Sequence, residues 1–188
     1  YREILKKNPQ DPNVHYNSSE LLLHLGQFQE GWEKYEYRWK VFPGNRVKWS
    51  IEGQATWNGE RGKSVVLWKE QGIGDDIIFL GLVSEAREMT QSLSVYIDSR
   101  LIPICERSMP GIKFLPDVES LRNEESDYHL PMGSLPRLMR NRIEDFDRTV
   151  KGYFKSDPKR VSVLRKELGV EGKTVIGISW KSFKSLNQ

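Results

Sequence analysis

Ser64-Val65-Val66-Leu67-Trp68-Lys69-Glu70-Gln71-Gly72-Ile73-Gly74-Asp75-Asp76 is the stretch from which the architecture of this chain can be read. Its opening run is short, apolar and bounded by a glycine turn, which predicts a strand over Ser64 to Trp68. Beyond the turn, Ile78, Leu82, Ala86 and Met89 fall near one face of a helix, which is expected over residues 75–89. Strand, glycine turn and helix in that order place a carboxylate, Asp75, at the carboxyl end of a strand. Open α/β sheets hold small molecules there.

Downstream the alternation continues. Leu93 to Ile97 reads as a strand and Leu101 to Arg107 as a short helix stopped by Pro110-Gly111. Ile112 to Leu115 and Tyr128 to Leu130 are further strands, and Ser134 is placed to cap a helix through about Arg140. Lys159 to Leu168 is a helix ended by Gly169, and Val175 to Trp180 is a last strand. Short apolar strands alternating with helices predict an α/β fold, a Rossmann-like, mostly parallel sheet covered on both faces. Residues 63–170 make up this domain. The strand at 175–180 has only eight residues after it and no following helix, so 171–188 is expected to open a second domain that this chain does not complete.

Upstream the reading is helical. Tyr1 to Lys7 looks like the tail of a helix stopped by Asn8-Pro9. Asp11-Pro12 starts another, with proline tolerated in the first turn. Gly26 turns the chain, and Gln29 to Trp39 forms a further helix rich in aromatic residues, ended by Pro43. Pro9 and Pro43 lie 34 residues apart, the period of tetratricopeptide repeats. Gly26, Gly31 and Tyr35 stand where that family places a turn glycine, a small close-packing residue and an aromatic. Residues 1–43 thus resemble the end of a tetratricopeptide array, which implies a protein partner; His15 and Ser19 depart from the usual tryptophan and glycine. Residues 44–62 form a connector whose Trp49 and Trp57 are expected to dock on a neighbouring surface.

Composition narrows the function. Hydrophobic residues make up 37% and charged residues 29% of the 188, the balance of a protein that folds in water. No run approaches the roughly 20 apolar residues needed to span a bilayer, and no basic, cleavable leader is seen, so a cytoplasmic location is expected. A formal charge of +3, with bases and acids mixed, does not point to nucleic acid. Arg46 and Lys48 beside the tryptophans are too few and too irregular for base stacking. Cys105, alone among apolar neighbours, rules out an internal disulfide and reads as a buried thiol. His15, His24 and His129 are too scattered to suggest a metal centre.

The turn itself has two readings. Its glycines have access to backbone angles closed to other residues and let a ligand approach the main chain. Asp75, where the helix begins, is either an N-cap tied to the first-turn amides or a group facing the cleft for recognition or catalysis. A dinucleotide fingerprint is incomplete: Gly72 and Gly74 are present, Ile77 stands in the third glycine's place, and Asp98 is the only trace of the ribose-binding acid. A nucleotide-dependent oxidoreductase is therefore a weak reading. Gly62-Lys63-Ser64 ends like a phosphate loop but precedes its strand.

Residues 57–107 resemble the front half of a two-domain glycosyltransferase of GT-B architecture, similar to the heptosyltransferases and often fused to tetratricopeptide repeats. The segments that carry the likeness are Trp57-Asn58-Gly59, Leu67 through Asp75, Asp98-Ser99-Arg100-Leu101 and Gly133-Ser134-Leu135-Pro136. Gly177-Ile178-Ser179-Trp180 matches the opening strand of the second half. The resemblance implies inverting, metal-independent sugar transfer from a nucleotide-sugar donor to an unknown acceptor in the cleft between two Rossmann-like domains. Asp75 takes the role of the residue that activates the acceptor hydroxyl, and Gly72 and Gly74 shape the acceptor wall. Met132, Gly133 and Ser134 line the same mouth, or serve the turn and its cap. Lys181 and Ser182 approach the donor phosphates, and Glu70 orients a lysine or the turn. No cofactor is expected in this part. The nucleotide-binding half is nearly absent, so the chain is expected to be an incomplete and by itself inactive piece of the enzyme. The rival expectation is a non-catalytic scaffold in which the repeats recruit a protein and a degenerate Rossmann-like domain supplies surface.

Overall fold

The computed structural model describes residues 2–43, 54–147 and 152–178. Tyr1–Lys155 forms one compact unit and Ser156–Gln188 a second. The first unit holds a five-stranded, all-parallel sheet with helices, a Rossmann-like α/β fold.

Helices α1 (Arg2–Lys7), α2 (Pro12–His24), α3 (Phe28–Tyr35) and α4 (Arg38–Val41) come first. Asp11 caps α2 by accepting from the amides of Asn13 and Val14, and Pro12 occupies a first-turn position where its missing N–H costs nothing. Gly26, at φ 74°, turns the chain between α2 and α3. The two helices close tightly: a β-carbon on Gly31 would lie 2.7 Å from the Leu23 side chain. The helix expected from Gln29 to Trp39 is interrupted. At Glu36–Tyr37 the bonds shift to i→i−3 partners, Tyr37 N–H to Lys34 and Lys40 N–H to Tyr37, and the break swings Arg38 inward.

The sheet comprises β1 (Ala55–Thr56), β2 (Ser64–Trp68), β3 (Ser92–Tyr96), β4 (Lys113–Leu115) and β5 (Tyr128–Pro131), in the order β1-β5-β2-β3-β4. β2 lies at the centre, with Leu67 paired to Val95 on one side and Leu130 on the other. The chain order reverses direction between β2 and β5, so the crevice outside their carboxyl ends is the topological switch point. β1 lies inside the expected connector and pairs with β5, and Trp57 after it is fully buried against the core. Trp49 lies outside the described residues.

Because β2 is covered on both faces, its alternate residues enter two cores. Val65 and Leu67 join Leu80, Val83, Ala86, Val95, Ile97, Leu130 and Leu135. Val66 and Trp68 join Tyr96, Leu115 and Leu121 on the other face, with Trp39 from α4 packed against them. Each fully buried side chain of this size contributes about 1.5–3 kcal/mol.

The single helix expected over 75–89 is two: α5 (Ile73–Leu80) and α6 (Val83–Met89). The Tyr153 ring crosses Gly81, where a β-carbon would lie 3.3 Å from it, and its hydroxyl donates to the Ile77 carbonyl. The break turns Leu80 and Val83 into the core and leaves Ile78, expected on the buried face, 70% exposed. The rest of the unit includes α7 (Ile102–Ser108), α8 (Val118–Arg122), which the sequence reading lacked, and α9 (Leu135–Met139).

In the second unit, α10 (Pro158–Glu167) is capped by Asp157 and closed by Gly169 at φ 62°. Residues 174–178 form no strand, and Val175, Ile176 and Ile178 are exposed. A strand is defined by its ladder, and no neighbour pairs with these residues among those described. The remainder of the expected strand lies outside the described residues.

Candidate functional site at the carboxyl edge of the sheet

After Trp68 the chain leaves β2 through Lys69, whose N–H still bonds the Tyr96 carbonyl, and enters α5 two residues earlier than expected. Gly72 is the N-cap, at φ −78° and ψ 168°, and neither it nor Gly74 adopts a positive φ. Backbone strain therefore does not explain these glycines. At Gly74 a β-carbon would meet nothing within 4 Å, so the exposed first turn of α5 is left bare toward the solvent side.

Starting the helix at Ile73 makes Asp75 its third residue instead of its cap. One carboxylate oxygen accepts the Gly72 N–H at 3.1 Å, which fixes the side chain against the turn. Asp75 is half-buried, and its second oxygen takes no hydrogen bond among the described residues. The arrangement leaves that oxygen available to accept a hydrogen bond from a ligand at the strand edge.

Asp76, one residue on, points the other way. It is 2% exposed and accepts the Asp98 N–H at 3.3 Å, tying α5 to the segment after β3. Desolvation pushes its pKa up to about 6, despite the Asp98 N–H and the charge of Lys69; Asp98 and Asp75 push in the same direction as burial. Asp98 itself is held well below the usual carboxylate range by the Arg100 side chain and amide, with Lys69 3.9 Å away.

At the switch point the strand ends are bridged by a side chain from the helical segment. Arg38 is 3% exposed and meets Glu70 with two bonds, Nε to Oε2 at 2.7 Å and Nη2 to Oε1 at 2.9 Å. Its Nη2 also donates to Ser134 Oγ, and its Nη1 to Glu36 and the Tyr35 carbonyl. Desolvation opposes the guanidinium charge, but hydrogen bonding to Glu70 and the charges of Glu36 and Glu70 outweigh it and hold the Arg38 pKa above its ordinary value. Glu70 also accepts the Gly133 N–H.

Of the expected site residues, Asp75, Gly72 and Gly74 come together at one edge. Glu70 is buried, with an arginine, not a lysine, as partner. Met132 lies in the core, Gly133 is packed against Glu70, and Ser134 is fully buried. Its hydroxyl donates to Glu36 and does not cap α9. Lys181 and Ser182 lie outside the described residues. Asp76 and Arg38 are the functional groups the sequence reading passed over. Arg38 had a signal: a lone cation inside the aromatic run Tyr35-Glu36-Tyr37-Arg38-Trp39, where an unpaired charge would be costly to bury.

Among the described residues no helix is long and apolar enough to cross a membrane. No family model matches the chain, and no solved structure matches it. Among curated proteins it is similar to Protein FlbA of Caulobacter vibrioides, 27% identical over 97% of this chain and 34% of that protein. The chain thus spans about a third of the length of the curated relative it matches.

Proposed function

We propose that this chain is the acceptor-side half of a GT-B-type glycosyltransferase, with Asp75 as the general base. The observation that carries the reading is the pairing of an anchored carboxylate with an uncovered helix turn. Asp75 is fixed through one oxygen to the Gly72 amide, beside the bare surface of Gly74, at the carboxyl end of the central strand. The motif resemblance quoted above supports the same assignment.

In this reading the free Asp75 oxygen removes the proton from an acceptor hydroxyl as that oxygen attacks the anomeric carbon. The bond from the sugar to the nucleotide phosphate breaks, and the leaving group departs as the nucleoside phosphate, with inversion at carbon. The donor is a nucleotide sugar held by a second domain, toward which Lys181 and Ser182 would supply charge and a hydrogen bond to the phosphates. The reaction takes place in the cytoplasm, and the tetratricopeptide-like helices at the start recruit a protein partner.

The test is transfer from a panel of nucleotide sugars by the natural full-length protein, with Asp75→Asn alongside. Turnover is expected to fall by about 10²–10⁴-fold in a variant that unfolds at the parent's temperature. Undiminished turnover in Asp75→Asn would overturn the assignment.

A second reading, a non-catalytic scaffold, draws on one observation: Arg38 and Glu36 fill the crevice between the ends of β2 and β5 that enzymes of this topology leave open for a ligand. A full-length protein that binds a protein partner but turns over no nucleotide sugar, with or without Asp75, would favour it.

A further inference from the structure

We propose that Arg38 is a positioning residue for the Asp75 turn, and that the helical segment before the sheet is thereby a working part of the site. The proposal rests on the reading of Asp75 as the reacting group. Two consecutive side chains lead into that turn, and both are held from the helices. Glu70 is gripped by the Arg38 fork, and Gln71 donates to the Tyr35 hydroxyl at 2.7 Å. The very next residue is Gly72, whose N–H fixes Asp75. From the α/β layer, Glu70 receives the Gly133 amide, which ties the loop after β5 into the same clamp.

The geometry of the fork matters. A planar guanidinium with two parallel bonds sets the angle of the carboxylate as well as its distance. Further bonds to Ser134, Glu36 and the Tyr35 carbonyl, together with the Tyr35 and Trp39 rings 4.5 and 4.4 Å from the guanidinium carbon, fix the arginine itself. The helices are attached by other means too: the Trp32 indole donates to the Arg140 carbonyl at 2.8 Å, and Trp39 packs on Trp68. Removal of the clamp therefore leaves the docking in place and frees the turn.

The experiment uses the paired variant Arg38→Met/Glu70→Leu, which removes both members of the buried pair, a replacement cores often accept, and leaves the part-exposed Glu36 with its Ser134 bonds. Tyr35→Phe, which deletes only the hydroxyl on Gln71, is run beside it. Amide exchange is read at Gly72, with Val95 in β3 as the reference for global opening. The Gly72 amide is expected to exchange on the order of 10-fold faster in the paired variant, and measurably faster in Tyr35→Phe, while Val95 is unchanged. A shift in the Gly72 amide resonance is expected to accompany it.

Exchange at Gly72 that is unaltered, or that rises only in step with Val95, would reduce Arg38 to a structural residue and overturn the proposal. If the paired variant does not fold, Tyr35→Phe decides by the same criterion. Activity separates this proposal from the reading beneath it. In full-length protein, loss of the clamp is expected to lower kcat more than it raises KM. Undiminished turnover in Asp75→Asn would remove the catalytic reading, while the Gly72 measurement would still report whether the clamp holds the turn.

Discussion

The backbone N–H of Asp98 donates to the buried carboxylate of Asp76 at 3.3 Å, and this contact ties the first turn of α5 to the segment that follows β3. Burial without a full set of partners favours the neutral acid. The Asp76 pKa rises from 3.8 to about 6, so its protonated form is favoured on folding. The resulting stability is fully present below the unfolded value and is lost as pH rises through the folded one. By pH 8 the folded chain carries a cost of about 3 kcal/mol relative to a group that never ionises. Asp76→Asn keeps an acceptor for the Asp98 amide and removes the charge. It is expected to be more stable than the parent by up to that amount at pH 8, with an advantage that shrinks as pH falls to 5. The charges of Lys69, Asp75 and Asp98 act on Asp76 only while it is ionised, so their effect is already contained in its raised pKa and disappears in Asp76→Asn. Urea midpoints that differ by the same amount at both pH values would show that Asp76 titrates normally.

Gly133 exists to make room for Glu70. A β-carbon there would collide with the Glu70 carboxylate, and the Arg38 Nη2 lies only 3.4 Å from the same point. The carboxylate has no free direction in which to retreat, since both its oxygens are held by the guanidinium. Gly133→Ala is therefore expected to destabilise the fold by about 1–3 kcal/mol, the ordinary cost of overpacking a close-packed site. Denaturant unfolding measures it. A neutral result would mean that the clamp is looser than its distances.

Gly74 makes the opposite case. No atom lies within 4 Å of the position its β-carbon would take, and its φ is not positive. Alanine is the better helix former, so Gly74→Ala is expected to leave stability unchanged or raise it by about 0.5–1 kcal/mol. If a ligand approaches the bare first turn of α5, the added methyl group lowers transfer in the full-length protein without cost to the fold. Activity equal to the parent's in a folded Gly74→Ala would show that no substrate comes close to that turn.

Much of the sheet was legible because central parallel strands are apolar on both faces. Ser64–Trp68 was read to the residue, and the strands at β3, β4 and β5 to within one residue at either end. What escaped depends on contacts between distant parts of the sequence. The split between α5 and α6 is set by Tyr153, which crosses Gly81 from more than 70 residues away. The burial of Glu70 is set by Arg38, 32 residues earlier. Asp75 and Asp76 are chemically alike as letters. Which one faces outward follows from the helix starting at Ile73, and periodicity alone does not fix that start. The two-residue strand β1 is too short to carry an alternating pattern, although Trp57 beside it marked the docking surface correctly.

Cys105 provides a check on the core that needs no knowledge of function. Its thiol is fully buried in α7 against the sheet. Burial, reinforced by the charges of Asp76 and Glu106, pushes its pKa up to about 11. Thiol reagents attack the thiolate, so both access and ionisation protect it. At pH 8 the native protein is expected to react with a disulfide reagent on the order of 10³-fold more slowly than the unfolded chain, at a rate set by opening of the core. Destabilising Gly133→Ala should then raise the labelling rate in proportion to its effect on stability if the opening is global. Labelling of native protein as fast as a free thiol would place Cys105 outside the core and contradict the packing of α7 on the sheet.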